Sequence, residues 1–294
     1  MSDIHFLSVE RTMTRLRSAV VCAIALASFG CHPDAVTSTP VVPLAGIHFV
    51  NAVPDTMQQA IRVVDIVSNA SLFAADFRAF NPYYQGIEAG SREIKVFLSS
   101  TDPSIAQQSL ADTTYNFAQG QHYTFVHTGF SRTGQTPARA VWIIQDNPPT
   151  PGLGQVGLRF IHAGAGIGPV DIYVLRHATD TLTLPAALAT NVAYGTVGAT
   201  YTLAGADTLA PDSIRFAFYN TGTITGPVAI VKAPAGVLGT STVNPIAGSR
   251  VAGTVFTAIL VPRSVLGSMA PQTAAFTVPT VLYLVDKRPP NTAP

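Results

Sequence analysis

The feature that most constrains the fold of this chain is an internal duplication. Gly46–Ala52 (GIHFVNA) aligns with Gly157–Ala163 (GLRFIHA) at an offset of 111 residues. Later in each copy, Val141–Asp146 (VWIIQD) corresponds to Val281–Asp286 (VLYLVD), and a Pro-Pro pair follows both segments. Each copy therefore begins and ends with an apolar, strand-like segment, and the repeat predicts two domains.

The limits of the repeat give the domain boundaries. Copy 1 is predicted to cover residues 46–149 and copy 2 residues 157–290, with residues 150–156 (PTPGLGQ) as the link. His122–Thr128 and Val255–Val261 are rich in aromatic and β-branched residues, which favour pleated, half-buried strands. Gly, Asn and Pro clusters interrupt such segments at short intervals. We expect an all-β chain of two tandem antiparallel, immunoglobulin-like β-sandwiches.

The first thirty residues have the composition of an export signal. A positive stretch precedes the apolar run Ser18–Phe29 (SAVVCAIALASF). This run has the length of a signal peptide and is shorter than the roughly 20 apolar residues of a spanning helix. It ends at Gly30-Cys31, which is similar to the bacterial lipoprotein processing site, where the cysteine is lipidated and becomes the N-terminus. Ser28 stands where that pattern usually has leucine.

Cys31 is therefore the predicted lipidation site, with palmitate among the expected acyl groups. An ordinary cleaved signal that leaves Cys31 as a free thiol is the alternative, and translation starts at Met1 or Met13. His32, rather than aspartate, follows the cysteine, and by resemblance to Gram-negative sorting this favours the outer membrane over the periplasm or secretion. Residues 31–45 contain three prolines and are predicted to form an extended tether.

Several segments of copy 2 resemble a bacterial family. Leu158–Ala163 (LRFIHA), Pro169–Val174 (PVDIYV) and Ala189–Thr196 (ATNVAYGT) are similar to motifs of domain-of-unknown-function family 4397. In copy 1, Val50–Asp55 (VNAVPD) matches the family's opening motif, while Phe77–Phe80 (FRAF) matches the middle motif only loosely. The resemblance implies an exported or surface-attached protein with tandem domains, and it implies no established catalytic role.

Motifs that carry catalytic chemistry are scarce in this sequence. Gly164–Gly168 (GAGIG) follows a strand, but Pro169 and a second strand come next, whereas a dinucleotide loop must begin a helix. It is interpreted as a turn. His122 and His127 are five residues apart in one strand, so they point to opposite faces and do not share a metal there. Scattered, partly exposed histidines are the expected arrangement, with no cofactor and no metal.

The acidic and aromatic residues are predicted to have structural roles close to their own positions in the chain. Asp65 and Asp171 are placed at equivalent positions beside the second strand of each copy, with turn-capping or strand-end roles. Asp146 and Asp286, just before the proline pairs, are expected to act similarly. Trp142 is expected in the core, although Trp142 and the pair Tyr83-Tyr84 also have the surfaces that stack on sugar rings. These side chains do not form a recognisable catalytic set.

The sequence therefore predicts a non-catalytic lipoprotein of the cell envelope. It would be a structural or adhesive tandem β-sandwich, attached to the outer membrane through lipid on Cys31, with a protein or glycan partner. The formal net charge of +1 gives no reason to expect nucleic acid. The alternatives are an envelope assembly subunit and a periplasmic carbohydrate-active or metal-dependent enzyme. A cleft that combines His48, His122 or His177 with an acidic side chain would favour the enzyme.

Overall fold

The computed structural model describes residues 41–66, 73–176, 180, 182, 187–197, 201–206 and 214–293. The predicted signal segment, Cys31, His177 and most of the predicted tether lie outside these residues. β1 begins at Leu44, so residues 44 and 45 of the predicted tether belong to a strand. Among the described residues, no helix is both long and apolar enough to cross a membrane.

Within the described residues, each copy contains eight strands, in the same order. Copy 1 comprises β1 Leu44–Asn51, β2 Gln59–Val63, β3 Phe73–Ala75, β4 Gln85–Glu88, β5 Gly90–Leu98, β6 Ser109–Phe117, β7 His122–Thr128 and β8 Ala140–Asp146, with a short helix α1 Pro103–Ala106. Copy 2 comprises β9 Gln155–His162, β10 Val170–Leu175, β11 Ala189–Val192, β12 Thr202–Gly205, β13 Arg215–Asn220, β14 Ala229–Lys232, β15 Val255–Val261 and β16 Thr280–Lys287, with a 3-10 turn at Ala274–Phe276.

Each copy is a sandwich of two four-stranded sheets. We call β4-β1-β7-β8 and β12-β9-β15-β16 the inner sheets, and β3-β2-β5-β6 and β11-β10-β13-β14 the outer sheets. The strand order of copy 2 repeats that of copy 1 strand for strand. The predicted all-β sandwich fold is confirmed, with one difference: β1 pairs parallel with β7, and β9 pairs parallel with β15. The other pairs between the named strands are antiparallel.

The side chains that alternate along each inner strand fill two different cores. In β1, Ile47 and Phe49 point into the sandwich of copy 1. Val50, on the opposite face, packs with Ile161 and Ile259 of copy 2. The inner sheets therefore pack against each other face to face, and residues 43–294 form one compact unit. Strands buried on both faces have continuous apolar sequences, as β15 (VFTAILV) does.

The structure corrects one correspondence between the copies. β2 and β10 align at the same offset of 111 residues as β1 and β9, so Asp171 corresponds to Ala60 and not to Asp65. Asp171 accepts backbone N–H groups of Asn191 and Gly222, both at 2.8 Å, and these bonds lower its pKa. Asp65 lies in the turn after β2 and accepts the N–H of Glu93 at 3.1 Å. Each aspartate has the local capping role that the sequence predicts.

Arg78 is the residue of the loosely matching middle motif that links the copies. It occupies the place of Gly195, because each donates its N–H to the last residue of the first strand, Asn51 or His162. Both residues have positive φ, 68° for Arg78 and 82° for Gly195. The Arg78 guanidinium donates to carbonyl oxygens of the β15–β16 loop, including those of Pro262 at 2.6 Å and Ala275 at 2.7 Å.

Arg78 thereby fixes a loop of copy 2 on the surface of copy 1. Burial lowers the pKa of its guanidinium to about 10, which leaves it charged at neutral pH. The same loop donates the N–H of Val265 to the carbonyl of Pro54 at 2.9 Å. An extended side chain thus compensates for a backbone conformation that costs a non-glycine residue about 1–2 kcal/mol.

We expect Arg78→Ala and Arg78→Gly each to lower the free energy of unfolding by about 2 kcal/mol or more, because both leave buried carbonyls without a donor. The glycine variant should be the more stable of the two by about 1 kcal/mol, since glycine adopts positive φ without strain. Urea unfolding of both variants measures the difference. Equal stability of the two variants would show that the backbone at residue 78 is not strained.

Candidate functional site

A buried polar cluster lies at the centre of the interface between the inner sheets. Its members come in corresponding pairs from the two copies: His48 and Arg159 from the first strands, Tyr84 and Tyr201 before β4 and β12, Thr124 and Thr257 from β7 and β15, and Asp146 and Asp286 from the last strands. The side chains of His48, Asp146 and Asp286 have no exposed surface, and that of Arg159 is 2% exposed. We call these eight residues the interface cluster.

The two shorter ion pairs of the interface cluster cross from one copy to the other, and a third, between Arg159 Nη2 and Asp286 Oδ2 at 3.9 Å, lies within copy 2. Arg159 Nη1 of copy 2 lies 2.6 Å from Asp146 Oδ1 of copy 1. His48 Nε2 of copy 1 lies 3.5 Å from Asp286 Oδ1 of copy 2. Each first strand therefore supplies a basic side chain to the carboxylate at the end of the other copy's last strand.

Hydroxyl groups hold each carboxylate from within its own copy. Thr124 and Tyr84 donate to Asp146 Oδ2 at 2.7 and 2.9 Å. Thr257 and Tyr201 donate to Asp286 Oδ2 at 2.6 and 3.0 Å. The pairing of hydroxyls with carboxylates is thus the same in both copies.

The interface cluster places two carboxylates around one guanidinium. Arg159 lies 2.6 Å from Asp146 Oδ1 and 3.9 Å from Asp286 Oδ2. Burial raises the pKa of Asp146; the Arg159 charge opposes this shift and the Asp286 charge adds to it. Burial and the two carboxylates also raise the pKa of Tyr84, so its hydroxyl stays protonated and can donate. Among the described residues, His48 Nε2 and Asp146 Oδ1 have ion-pair contacts and no hydrogen bond.

The structure corrects the local interpretation of Asp146 and Asp286. The sequence predicts local capping roles for them at strand ends, whereas their carboxylates form ion pairs between the copies. Their neighbours along the chain give no sign of this. The available signal was the repetition of an aspartate at the same place in both copies.

Of the four histidines in the described part of the chain, His48, His127 and His162 are buried, contrary to the expected partial exposure. His127 has no exposed surface and shares a hydrogen bond of 2.7 Å with Gln59 Oε1, so its Nδ1 carries the proton. His162 accepts the N–H of Gly164 on Nδ1 and donates from Nε2 to Gly168, across the predicted Gly164–Gly168 turn. His122 and His127 point to opposite faces of β7, as predicted. In the described part of the chain, no three His, Cys, Asp or Glu side chains are grouped as metal ligands.

The aromatic residues predicted as either core or sugar-stacking groups have separate locations. Trp142 borders the apolar contact between the inner sheets, and its ring centroid lies 5.2 Å from that of Tyr194. Tyr84 belongs to the interface cluster. Tyr83 is 36% exposed and lines an open cleft of about 470 Å³. Trp142 therefore packs in the core, whereas Tyr83 lies on a surface that a ligand can reach.

The cleft lies directly beside the interface cluster. Tyr84 and His122 form one side, with ring centroids 4.4 Å apart, and Lys287 and Arg288 of copy 2 form another. Asp286 also borders the cleft, but its carboxylate points inward and has no exposed surface. The cleft is therefore built from both copies, with aromatic rings from copy 1 and cations from copy 2.

Removing Arg159 should show how strongly the interface cluster holds the copies together. Arg159→Met leaves two buried carboxylates without their guanidinium, and we expect it to lower the free energy of unfolding by about 3–5 kcal/mol. Arg159→Met with Asp146→Asn should recover part of this loss, because the double variant removes one uncompensated charge. Urea unfolding measures both variants.

Arg92→Met is the matched control for this experiment. Arg92 pairs with Asp65 at 3.1 Å and Glu88 at 3.3 Å, and its side chain is 20% exposed. We expect a loss below about 1 kcal/mol, as for other partly exposed pairs. If Arg159→Met cost no more than Arg92→Met, the cluster would not stabilise the fold.

Buried His127 should make the protein sensitive to acid. Burial, with a smaller contribution from the Arg139 charge, lowers the pKa of His127 to about 3. Below about pH 6.5 the unfolded chain binds a proton at His127 that the folded chain does not bind. The free energy of unfolding therefore decreases as the pH is lowered. From pH 7.5 to pH 5 we expect a loss of about 2 kcal/mol from this group. Urea unfolding of His127→Gln should show a smaller loss over this range, and an unchanged pH dependence would contradict the assignment.

Comparison with known proteins finds a family model that matches the first copy. No curated protein matches the chain. Among solved structures, a crystal structure described as "Putative cell adhesion protein" from Parabacteroides distasonis is 7% identical, with a match that covers 83% of this chain and 99% of that one at a TM-score of 0.20. A structural similarity with so low a TM-score and identity supports no conclusion about fold or function. Residues 45–173, from β1 into β10, match the family described as Domain of unknown function (DUF4397), which confirms the resemblance that the sequence predicts.

Proposed function

We propose that this protein is a non-catalytic, lipid-anchored module of the bacterial cell envelope, which presents one end of a rigid pair of β-sandwiches to a protein or glycan partner. The observation that carries the proposal is the burial of the interface cluster. The side chains best suited to acid–base chemistry join the two copies to each other. They are His48, Asp146, Asp286 and Arg159. This arrangement supports a structural role for them.

The contacts between the copies give the module its rigidity. Besides the interface cluster, apolar side chains of both inner sheets pack together, and the N–H of Val285 donates to the carbonyl of Pro82 at 2.8 Å. Arg78 adds a further set of bonds to the β15–β16 loop. Loops carried by such a scaffold keep fixed positions relative to one another, which favours recognition of a partner with little loss of conformational entropy.

A periplasmic enzyme is the second candidate, because His48 does meet Asp286. The distance of 3.5 Å is within reach of a base and its orienting carboxylate. A catalytic pair must contact substrate, however, and both side chains are completely buried beneath Tyr84 and the inner sheets. The burial therefore favours the structural role over the enzyme.

The attachment of the protein is tested by fractionation of cells that express the natural protein, Cys31→Ser or Cys22→Ser. Cys22 lies within the predicted signal segment and serves as the matched control. We expect the natural protein and Cys22→Ser in the outer-membrane fraction, labelled by radioactive palmitate and cleaved by protease added to intact cells. Cys31→Ser should be unlabelled and absent from the membrane.

Two results would contradict the proposal. Cys31→Ser that fractionates with the membrane like the natural protein would remove Cys31 as the anchor. Natural protein that is recovered only in the periplasmic fraction would remove the surface location and leave the enzyme as the stronger candidate.

A further inference from the structure

We infer that the cleft between the copies binds an acidic saccharide, with a sugar ring against its aromatic side and a carboxylate against Lys287 and Arg288. This inference rests on the proposed function, since it names the class of partner that the anchored module would recognise. It is carried by the shape of the cleft, by its rings, by its charges, and by a difference between the two copies.

The size and the rings of the cleft suit a sugar. Its volume of about 470 Å³ lies within the range of small-molecule sites. Tyr83 and His122 line the cleft, and the apolar faces of pyranose rings pack against aromatic side chains. A second cleft of about 400 Å³ shares Lys287 and Arg288, and it continues past Leu153 and Pro290. A ligand of more than one ring can therefore extend beyond the first cleft.

The charges of the cleft select an anion. The Arg288 guanidinium carbon lies 4.5 Å from the centre of the Tyr83 ring, and Lys287 Nζ donates to the Thr150 hydroxyl at 2.7 Å. Within the described part of the chain, no carboxylate forms an ion pair with either cation. Because the Asp286 carboxylate is sealed in the interface cluster, two cations at the rim are available to a ligand. The planar guanidinium can bind a carboxylate through two parallel hydrogen bonds.

Comparison of the copies separates the cleft from the scaffold. The interface cluster repeats the same residue types at three of its four paired positions, with a tyrosine, a threonine and an aspartate in each copy. The cleft residues outside the interface cluster do not repeat in sequence: Tyr83 aligns with Thr200, His122 with Val255, and Lys287 with Asn147. The repeated part of the contact between the copies therefore does not include these three residues.

The test is calorimetric titration of the natural protein with two probes of equal length, trigalacturonate and galactotriose. We expect trigalacturonate to bind at least about tenfold more tightly, since only it offers carboxylates to Lys287 and Arg288. Arg288→Gln and Tyr83→Ala should each weaken its binding by about tenfold. Both residues are exposed, so the variants should keep the fold, which circular dichroism verifies.

Arg263→Gln is the matched control. Arg263 is exposed and follows β15, at the end of the inner sheet opposite to Lys287, and its replacement removes the same charge. It should leave binding unchanged. No heat with trigalacturonate at about 1 mM, equal affinity for the two probes, or equal losses in Arg288→Gln and Arg263→Gln would each overturn the inference.

These outcomes are distinct from those of fractionation. A protein that is anchored through Cys31 but does not bind trigalacturonate retains the proposed location and loses only this ligand class. A protein that binds trigalacturonate but is not anchored retains the cleft as a binding site and loses the surface role.

Discussion

The crossing of two ion pairs between the inner sheets is the interaction on which the rest of the structure depends. Arg159 of copy 2 lies 2.6 Å from Asp146 of copy 1 and 3.9 Å from Asp286 of its own copy, and His48 of copy 1 lies 3.5 Å from Asp286, so each carboxylate has its shortest ion pair with the other copy. Burial of a carboxylate without a partner is costly, and each copy therefore needs the other to bury its inner sheet. The same need explains why β1 and β9 are buried on both faces. Two sandwiches that share a buried charge network behave as one body.

The local sequence was sufficient to predict the strands, but it was insufficient to predict the contact between the copies. β7 and β15 have the bounds predicted from their aromatic and β-branched residues, His122–Thr128 and Val255–Val261. The sandwich followed from short strands and frequent turns. The parallel pairing of first and seventh strands did not, because residues some 76 positions apart meet there, as Gly46 and His122 do, and periodicity carries no information on such partners.

The candidate site was less predictable than the fold for the same reason. Tyr83, His122 and Arg288 lie on three separate segments from two copies, and only the packing of the inner sheets brings them together. The sequence did indicate Tyr83 as a residue with a sugar-stacking surface. A clue to the buried contact was also present, because Phe49 and Val50 are adjacent and both apolar, and a strand with one solvent-exposed face would alternate.

The position of β1 in its sheet has a mechanical consequence. β1 is the first strand after residue 43, and it lies between β4 and β7 with hydrogen-bonded ladders on both sides. A pull on the N-terminal end of the chain acts along the axis of this strand, perpendicular to the bonds of both ladders. Those bonds then share the load and must break together, whereas an edge strand peeled away would lose them one at a time. A chain held by its N-terminus would thus carry tension through the strongest direction of its inner sheet.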